Sequence, residues 1–268
     1  MAKICKNCET ENTEAFKYCP NCSQKVNTHR LTFHDVLHDA MHYFTHVDKG
    51  IFQLIRDLII KRGLVAKEYI EGKRKKYFPP LNFFLLIATV FVFMSTLGEP
   101  AEKKDIAKAY PEANQIKDPI KKHQLIGIYQ RKENIAHFTT KYSNLMAMCS
   151  LPISAFIFWL FYRRAKYNYI EHVVAGMFMQ GIGILAYALL VLPVTYLLHI
   201  PTYYGVAAFF LVQLFYFSTF YYGFLNKSTK LAYFKAMGVS FASFMTWSLL
   251  SATTIQIYIS NGFWGLMH

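Results

Sequence analysis

Acidic residues are scarce in this sequence: 16 Asp and Glu stand against 29 Lys and Arg, a formal net charge of +13 over 268 residues. Charge of either sign is also thin, at 17% of the chain, while hydrophobic residues make up 54% and aromatics 17%. A soluble domain carries about 25% charged residues, so the composition points away from one. The shortage is uneven. Before Leu81 there is no apolar run long enough to cross a bilayer, and the chain is polar, basic and His-rich; beyond it come long apolar runs almost free of charge. The opening stretch "MAKICKNCET" lacks the apolar core of a secretory leader, so the first hydrophobic span is expected to act as an uncleaved anchor. Within the apolar runs acids and bases are nearly missing, and Gln180 and Gln213 are the mid-run polar residues. Proton-coupled transport and intramembrane catalysis both need an ionisable group at depth, so neither is favoured and no catalytic residue is assigned. A basic balance admits nucleic acid as a partner. Here the cations sit beside apolar runs, where the positive-inside rule and anionic lipid account for them, and no nucleic-acid partner is expected.

Cysteine is also rare, but four of the five lie in "CKNCETENTEAFKYCPNC". Cys5 and Cys8 form one CxxC, Cys19 and Cys22 a second. Each tight knuckle brings two thiolates to one ion, and two knuckles close a tetrahedral site, the usual arrangement of a structural zinc. Disulfides fit a reducing compartment poorly, and a redox CxxC would sit on a βαβ pattern that is missing here. Four sulfurs leave no open coordination position, so one structural Zn2+ is expected, folding residues 1–28 into a ribbon too small for a core of its own. Cys149 lies in an apolar run and is assigned no role.

Residues 29–80 carry an i, i+3, i+4 apolar stripe running through Phe33, Val36, Leu37, Ala40, Met41, Phe44, Val47, Ile51, Ile55 and Leu58, which predicts amphipathic helix. Thr32 is placed to cap the first helix, with Asp35 in its first turn. A break is expected at "VDKG", a second helix over about 48–61, and a turn and short helix in "KRGLVAKEYIEG". Lys73, Arg74, Lys75 and Lys76 follow, directly ahead of the first span, with Tyr77, Phe78, Pro79 and Pro80 behind them. Such a segment suits the cytoplasmic leaflet, where each cation contributes about 1 kcal/mol against anionic headgroups; equally, its apolar stripe could pack on the bundle or on a second subunit. His34, His38, His42 and His46 recur every fourth residue. A step of four drifts about 40°, so four rings spiral through about 120° and form no single column. Adjacent pairs could share a metal or charge in acid; the favoured reading is the polar flank of an amphipathic helix.

The fold class expected is an all-α polytopic membrane protein. Residues 81–268 predict five spans of about 20 residues each, at 81–97, 144–162, 173–198, 204–225 and 233–259, with an extracytoplasmic loop at 98–143 in which Asp118-Pro119 starts a helix. Arg163, Arg164 and Lys166 lie between spans two and three, and Lys227, Lys230 and Lys235 between four and five. The positive-inside rule then puts the N-terminus in the cytosol and the C-terminus outside. Gly176, Gln180 and Gly183 suit close helix packing. Glu171 and His172 stand at the inner end of span three; Glu171 suits a helix N-terminus, and with Arg163 and Arg164 the pair forms a candidate surface for lipid headgroups or a partner.

The double CxxC followed by "HVDKGIFQLIRDLIIKRGLVAKEYIEGKRKKYFPPL" and later by "YIEHVV" resembles a family of uncharacterised bacterial inner-membrane proteins, a domain of unknown function with an N-terminal zinc ribbon. The most specific stretch is "EYIEGKRKKYFPP", Glu68 to Pro80. The resemblance implies the bacterial inner membrane and brings no activity. The layout is also similar, in architecture alone, to the Yip1-type five-span proteins. The functional expectation is a non-enzymatic scaffold or adaptor that docks a protein partner or a second copy through the ribbon and the basic helices. The alternative is a transporter or lipid-handling protein with a polar or lipid groove among spans two to five.

Overall fold

The computed structural model describes residues 3–12, 16–26, 29–43, 50–96, 110–111, 116–198 and 202–261. Its first unit is the cysteine segment. Strands β1 (Lys3–Ile4) and β2 (Glu11–Asn12) pair antiparallel, Lys3 opposite Asn12 and Ile4 opposite Glu11. A single bridge joins Tyr18 to Lys25. The two knuckles repeat one geometry. Cys5 N–H donates to Thr10 O and Glu9 N–H to Cys5 O, both at 2.9 Å; Cys19 N–H donates to Gln24 O and Ser23 N–H to Cys19 O, both at 2.8 Å. Each closes through a left-handed residue just after its second cysteine, Glu9 (φ 63°) and Ser23 (φ 57°).

Three short helices follow. Helix α1 (Phe33–Tyr43) opens on a reciprocal cap. Asp35 N–H donates to Thr32 Oγ1 at 3.3 Å, the cap expected at Thr32, and Thr32 N–H donates back to Asp35 Oδ2 at 2.9 Å, which closes it into a box. Helices α2 (Gly50–Ile60) and α3 (Gly63–Glu71) are separated by Lys61 and Arg62 alone. Arg62 holds φ 51°, ψ −123°, which no L-residue adopts without strain. The reason for the sharp turn lies at the next residue. A Cβ on Gly63 would fall 1.8 Å from Phe220 O and 2.4 Å from Phe224 N, so α3 seats its first turn directly on another helix's backbone. Gly72 ends α3 in the left-handed conformation, φ 120°, with Lys73 N–H returning to Glu68 O at 2.9 Å.

The longer helices come next: α4 (Pro80–Thr96), the polar α5 (Pro119–Lys141), α6 (Ser143–Tyr162), α7 (Tyr169–Ala186), a π-helical turn (Tyr187–Val191), α8 (Leu192–Leu197), α9 (Thr202–Phe224) and α10 (Lys230–Asn261). Asp118 caps α5 through Ile120 N–H at 3.0 Å, with Pro119 in the first turn. Tyr142 then breaks the chain, so α5 does not run on into α6. The π-turn relaxes the chain ahead of Pro193, whose missing N–H interrupts the ladder.

Among the described residues, three helices are long and apolar enough to cross a membrane: Leu145–Tyr162, Tyr169–Leu197 and Tyr204–Phe224. Pro80–Ser95 is apolar but shorter. Helix α10 has length in excess at 32 residues, but Ser and Thr at seven positions between 240 and 254 dilute its hydropathy. Several of those hydroxyls bond within the helix or across the bundle; Thr246 Oγ1 donates to Ala242 O at 2.8 Å, and Ser243 donates to Ser154 on α6 at 3.0 Å.

Helix α7 is the hub. Helices α4 and α6 pack along it, α10 lies against α9 and α6, and α2 and α3 close on α7 and α9. Glycines set the distances: a Cβ on Gly181 would fall 2.5 Å from the ring of Phe83 on α4, and one on Gly176 would fall 2.9 Å from Leu151 on α6. The core joins Leu54, Leu58, Val65, Ala66 and Tyr69 of α2 and α3 to Phe83, Phe178, Phe217 and Phe220 of the long helices. Tyr216 Oη donates to Leu58 O at 3.1 Å. Of the three placements left open for the apolar stripe, α2 and α3 therefore take the one on the bundle.

Candidate metal centre and its anchorage

The Sγ atoms of Cys5, Cys8, Cys19 and Cys22 all lie within 4.8 Å of one another. Cys5 Sγ is 3.6 Å from Cys22 Sγ, and Cys8 Sγ is 3.5 Å from Cys19 Sγ. A disulfide needs about 2.05 Å, so these are four free thiols. A tetrahedral ion bound at about 2.3 Å by four sulfurs separates them by about 3.8 Å, close to what is seen. The cluster could hold a metal ion, and it is the one group of three or more candidate ligands among the described residues. Cys5 and Cys19 are buried, and Cys8 and Cys22 partly so.

A second layer supports the thiols. Thr10 Oγ1 lies 3.2 Å from Cys8 Sγ, and Asn21 Nδ2 donates to that Thr10 oxygen at 3.1 Å, linking one knuckle to the other. The Thr10 hydroxyl and backbone hold the Cys8 thiol down at about 6, whereas burial pushes Cys22 up to about 11. Uneven thiols of this kind become alike once a cation draws charge from all four, because a coordinating thiol is deprotonated outright.

The ribbon is tied to the helices by contacts that begin just past Cys22. Lys75 N–H donates to Gln24 Oε1 at 3.0 Å, and Arg74 Nη2 donates to His29 O at 2.9 Å. Arg30 then reaches the N-terminus of α7, where Nε and Nη2 donate to the Glu171 carboxylate at 3.1–3.2 Å and Nη2 also meets Lys166 O. Asn168 Nδ2 holds Leu31 O at 3.3 Å. Glu171 is buried and completes a capping box with Asn168: Glu171 N–H donates to Asn168 Oδ1 at 2.8 Å, and Asn168 N–H to Glu171 Oε2 at 2.7 Å.

The basic run ahead of α4 is folded into this joint. Lys73 and Lys76 bind Glu68 at 3.2 and 2.6 Å, and Tyr77 Oη donates to the same carboxylate at 2.5 Å. Burial alone would push Glu68 up, but the hydrogen bonds from Lys76, Tyr77 and Lys73 outweigh it and hold the carboxyl at about 2. Lys166 pairs with Glu71 at 2.5 Å. Arg163 and Arg164 are exposed on the same α6–α7 loop.

His172 is fully buried, with Nδ1 3.4 Å from Tyr221 Oη; its ring stacks on Tyr221 and meets Tyr167 and Phe224 edge-on. It serves the aromatic core and presents nothing to a headgroup. His34 and His38 are exposed, with ring centroids 6.1 Å apart. The side chain of His42 and all of His46 lie outside the described residues. The sequence pattern carried no sign of Gln24, Arg30, Glu68 or Asn168 as anchors. Of these four, Asn168 alone sits in a local pattern, the "N-Y-I-E" start of α7, which has the form of a capping box.

No curated protein and no solved structure matches the chain at a significant level. Residues 48–92, which hold α2, α3, the basic run and most of α4, match the model of a family described as a protein of unknown function (DUF3667), in keeping with an uncharacterised family.

Proposed function

We propose that this chain is a non-enzymatic scaffold or adaptor of the bacterial inner membrane, which holds a zinc-loaded ribbon at the cytoplasmic face for a protein partner. Five spans, built on α4, α6, α7 with α8, α9 and α10, would place the N-terminus inside and the C-terminus outside. Zinc suits the four-thiolate seat, which leaves no position open for a substrate and so makes the ion structural. The observation that carries the reading is exposed apolar surface on an anchored segment. The chain at and just past the ribbon is bonded to the helices through Gln24, His29 and Arg30. Within the ribbon, Ile4, Phe16 and Tyr18 are 65%, 49% and 59% exposed. Apolar side chains on a rigid, basic platform suit a protein surface better than water.

The test is site-specific photo-crosslinking from position 18 in membranes. A defined adduct, lost in Cys5→Ser and missing from a probe placed at Lys121, is the expected result. A clean monomer in mild detergent with no adduct overturns the proposal.

A second reading, lipid handling, is favoured by an apolar pocket of about 450 Å³ between α5, α6 and α10, lined by Phe138, Met146, Trp247 and Leu250 among others. Transfer of labelled lipid between vesicles by the purified chain would support it.

A further inference from the structure

A separate pocket of about 230 Å³ opens where α6 ends and α10 begins. Its walls include Phe161, Tyr162, Arg164, Tyr222, Lys227 and Lys235. Three cations line it, and no carboxylate does. None of the three has an ion-pair partner among the described residues, in contrast to Lys73, Lys76 and Lys166, each of which is held by a glutamate. Lys235 Nζ lies over the Tyr162 ring, 4.8 Å from its centroid. The Tyr162 hydroxyl is buried and lacks a hydrogen-bond partner among the described residues. Positive charge is thus collected in a concave site with an unmet donor in its wall.

We infer that this pocket binds the phosphate-bearing headgroup of an anionic phospholipid, of the phosphatidylglycerol class, from the leaflet on the ribbon's side. The inference rests on reading the apolar helices as membrane spans. Position favours a lipid over a soluble anion. The pocket sits on the α6–α7 loop that also carries Lys166, the residue tied to Arg30 and Glu71, so it lies at the level of the ribbon joint. Beside it, Phe161, Leu231, Phe234 and Phe241 are 51%, 81%, 61% and 47% exposed, an apolar margin along which acyl chains could lie. Size agrees: sites that engulf a whole small molecule run about 300–1,000 Å³, so a smaller cavity takes a headgroup and leaves the tails outside. Basic pockets between helices on the cytoplasmic side are the general form of such sites, and the planar guanidinium of Arg164 can meet two phosphate oxygens at once.

The test uses the full chain reconstituted in vesicles of equal phosphatidylglycerol and phosphatidylcholine, extracted in mild detergent and weighed intact with its retained lipid. The wild type should keep phosphatidylglycerol in preference. Combining Arg164→Gln, Lys227→Gln and Lys235→Gln should lower that retention about tenfold or more. Tyr162→Phe should lower it by less, with no change of charge. The same charge change at the other end of the bundle, in Lys121→Gln, Lys122→Gln and Lys132→Gln together, should leave it intact. Equal retention of phosphatidylcholine, an unmoved triple variant or an equal loss in the control triple would overturn the inference. So would displacement of the lipid by inorganic phosphate with phosphate retained in its place, which would assign the pocket to a soluble anion. A chain that enters no vesicle of either lipid would overturn the membrane reading and the lipid site with it.

Discussion

Arg30 and Glu171, 141 residues apart, form a clamp in which Nε stands 3.1 and 3.2 Å from the two carboxylate oxygens and Nη2 stands 3.1 Å from Oε2. Glu171 is buried, with a side chain 4% exposed, while the Arg30 side chain is 55% exposed. The carboxylate therefore does two tasks at the N-terminus of α7: it caps that helix and it holds the chain leaving the ribbon.

Arg30→Ala should leave that carboxylate without its cation. Removing one partner of a buried pair costs several kcal/mol, and solvent around Arg30 reduces this to about 1–2 kcal/mol. The expected sign is faster proteolysis between the ribbon and α1, with metal still bound. An unchanged cleavage rate would show that Asn168 and Arg74 suffice to hold the joint.

Stability should respond to acid through Glu68. Its folded carboxyl is held at about 2 against an ordinary 4.5, so its contribution is complete above about pH 4.5 and is lost as pH falls from there toward 2. With the side chain 19% exposed, the contribution is on the order of 2 kcal/mol. Thermal unfolding of the wild type and Glu68→Gln should differ at about pH 6, differ less at about pH 3 and converge only near pH 2. Curves that stay parallel would rule the linkage out.

The metal centre should bind one ion per chain. Cys5→Ser should abolish it, and chelation should unfold the ribbon while the helices persist. Thr10→Val removes the hydroxyl beside Cys8 Sγ and should weaken metal affinity by about 10–100-fold, as loss of an outer-shell partner does. His34→Asn with His38→Asn should leave the metal count unchanged; a second ion lost in that variant would revive the histidine site.

Gly63→Ala should destabilise the chain by about 1–3 kcal/mol, because the added carbon meets the Phe220 and Phe224 backbone, which cannot swing aside. Gly238 in α10 has open space around it, so Gly238→Ala should be neutral or stabilising by up to about 1 kcal/mol. Equal effects at the two sites would mean that α3 does not sit where the structure places it.

Much of this was legible in local pattern. The spacing of Cys5, Cys8, Cys19 and Cys22 announces a four-sulfur site because a knuckle is a turn of a few residues, and its geometry is set by its own backbone. Thr32 with Asp35, and Asp118 with Pro119, mark helix starts for the same reason. Three of the apolar runs are helices long enough to cross a membrane because length and hydropathy are properties of a segment by itself.

What the tertiary structure decided is where the amphipathic and basic pieces go. An apolar stripe such as that of α2 states only that one face is buried; lipid, a second copy or the chain's own bundle would each satisfy it. Gly63 against Phe220 and Tyr216 against Leu58 settle it for the bundle. A run such as Lys73 to Lys76 states only that charge is present. Whether a cation meets a headgroup or a glutamate depends on the path of the backbone, which here brings Glu68 to Lys73 and Lys76 and leaves Arg164, Lys227 and Lys235 without a carboxylate partner among the described residues. Pairings such as Arg30 with Glu171 come into being when the chain closes across 141 residues, and short-range pattern holds no record of that closure.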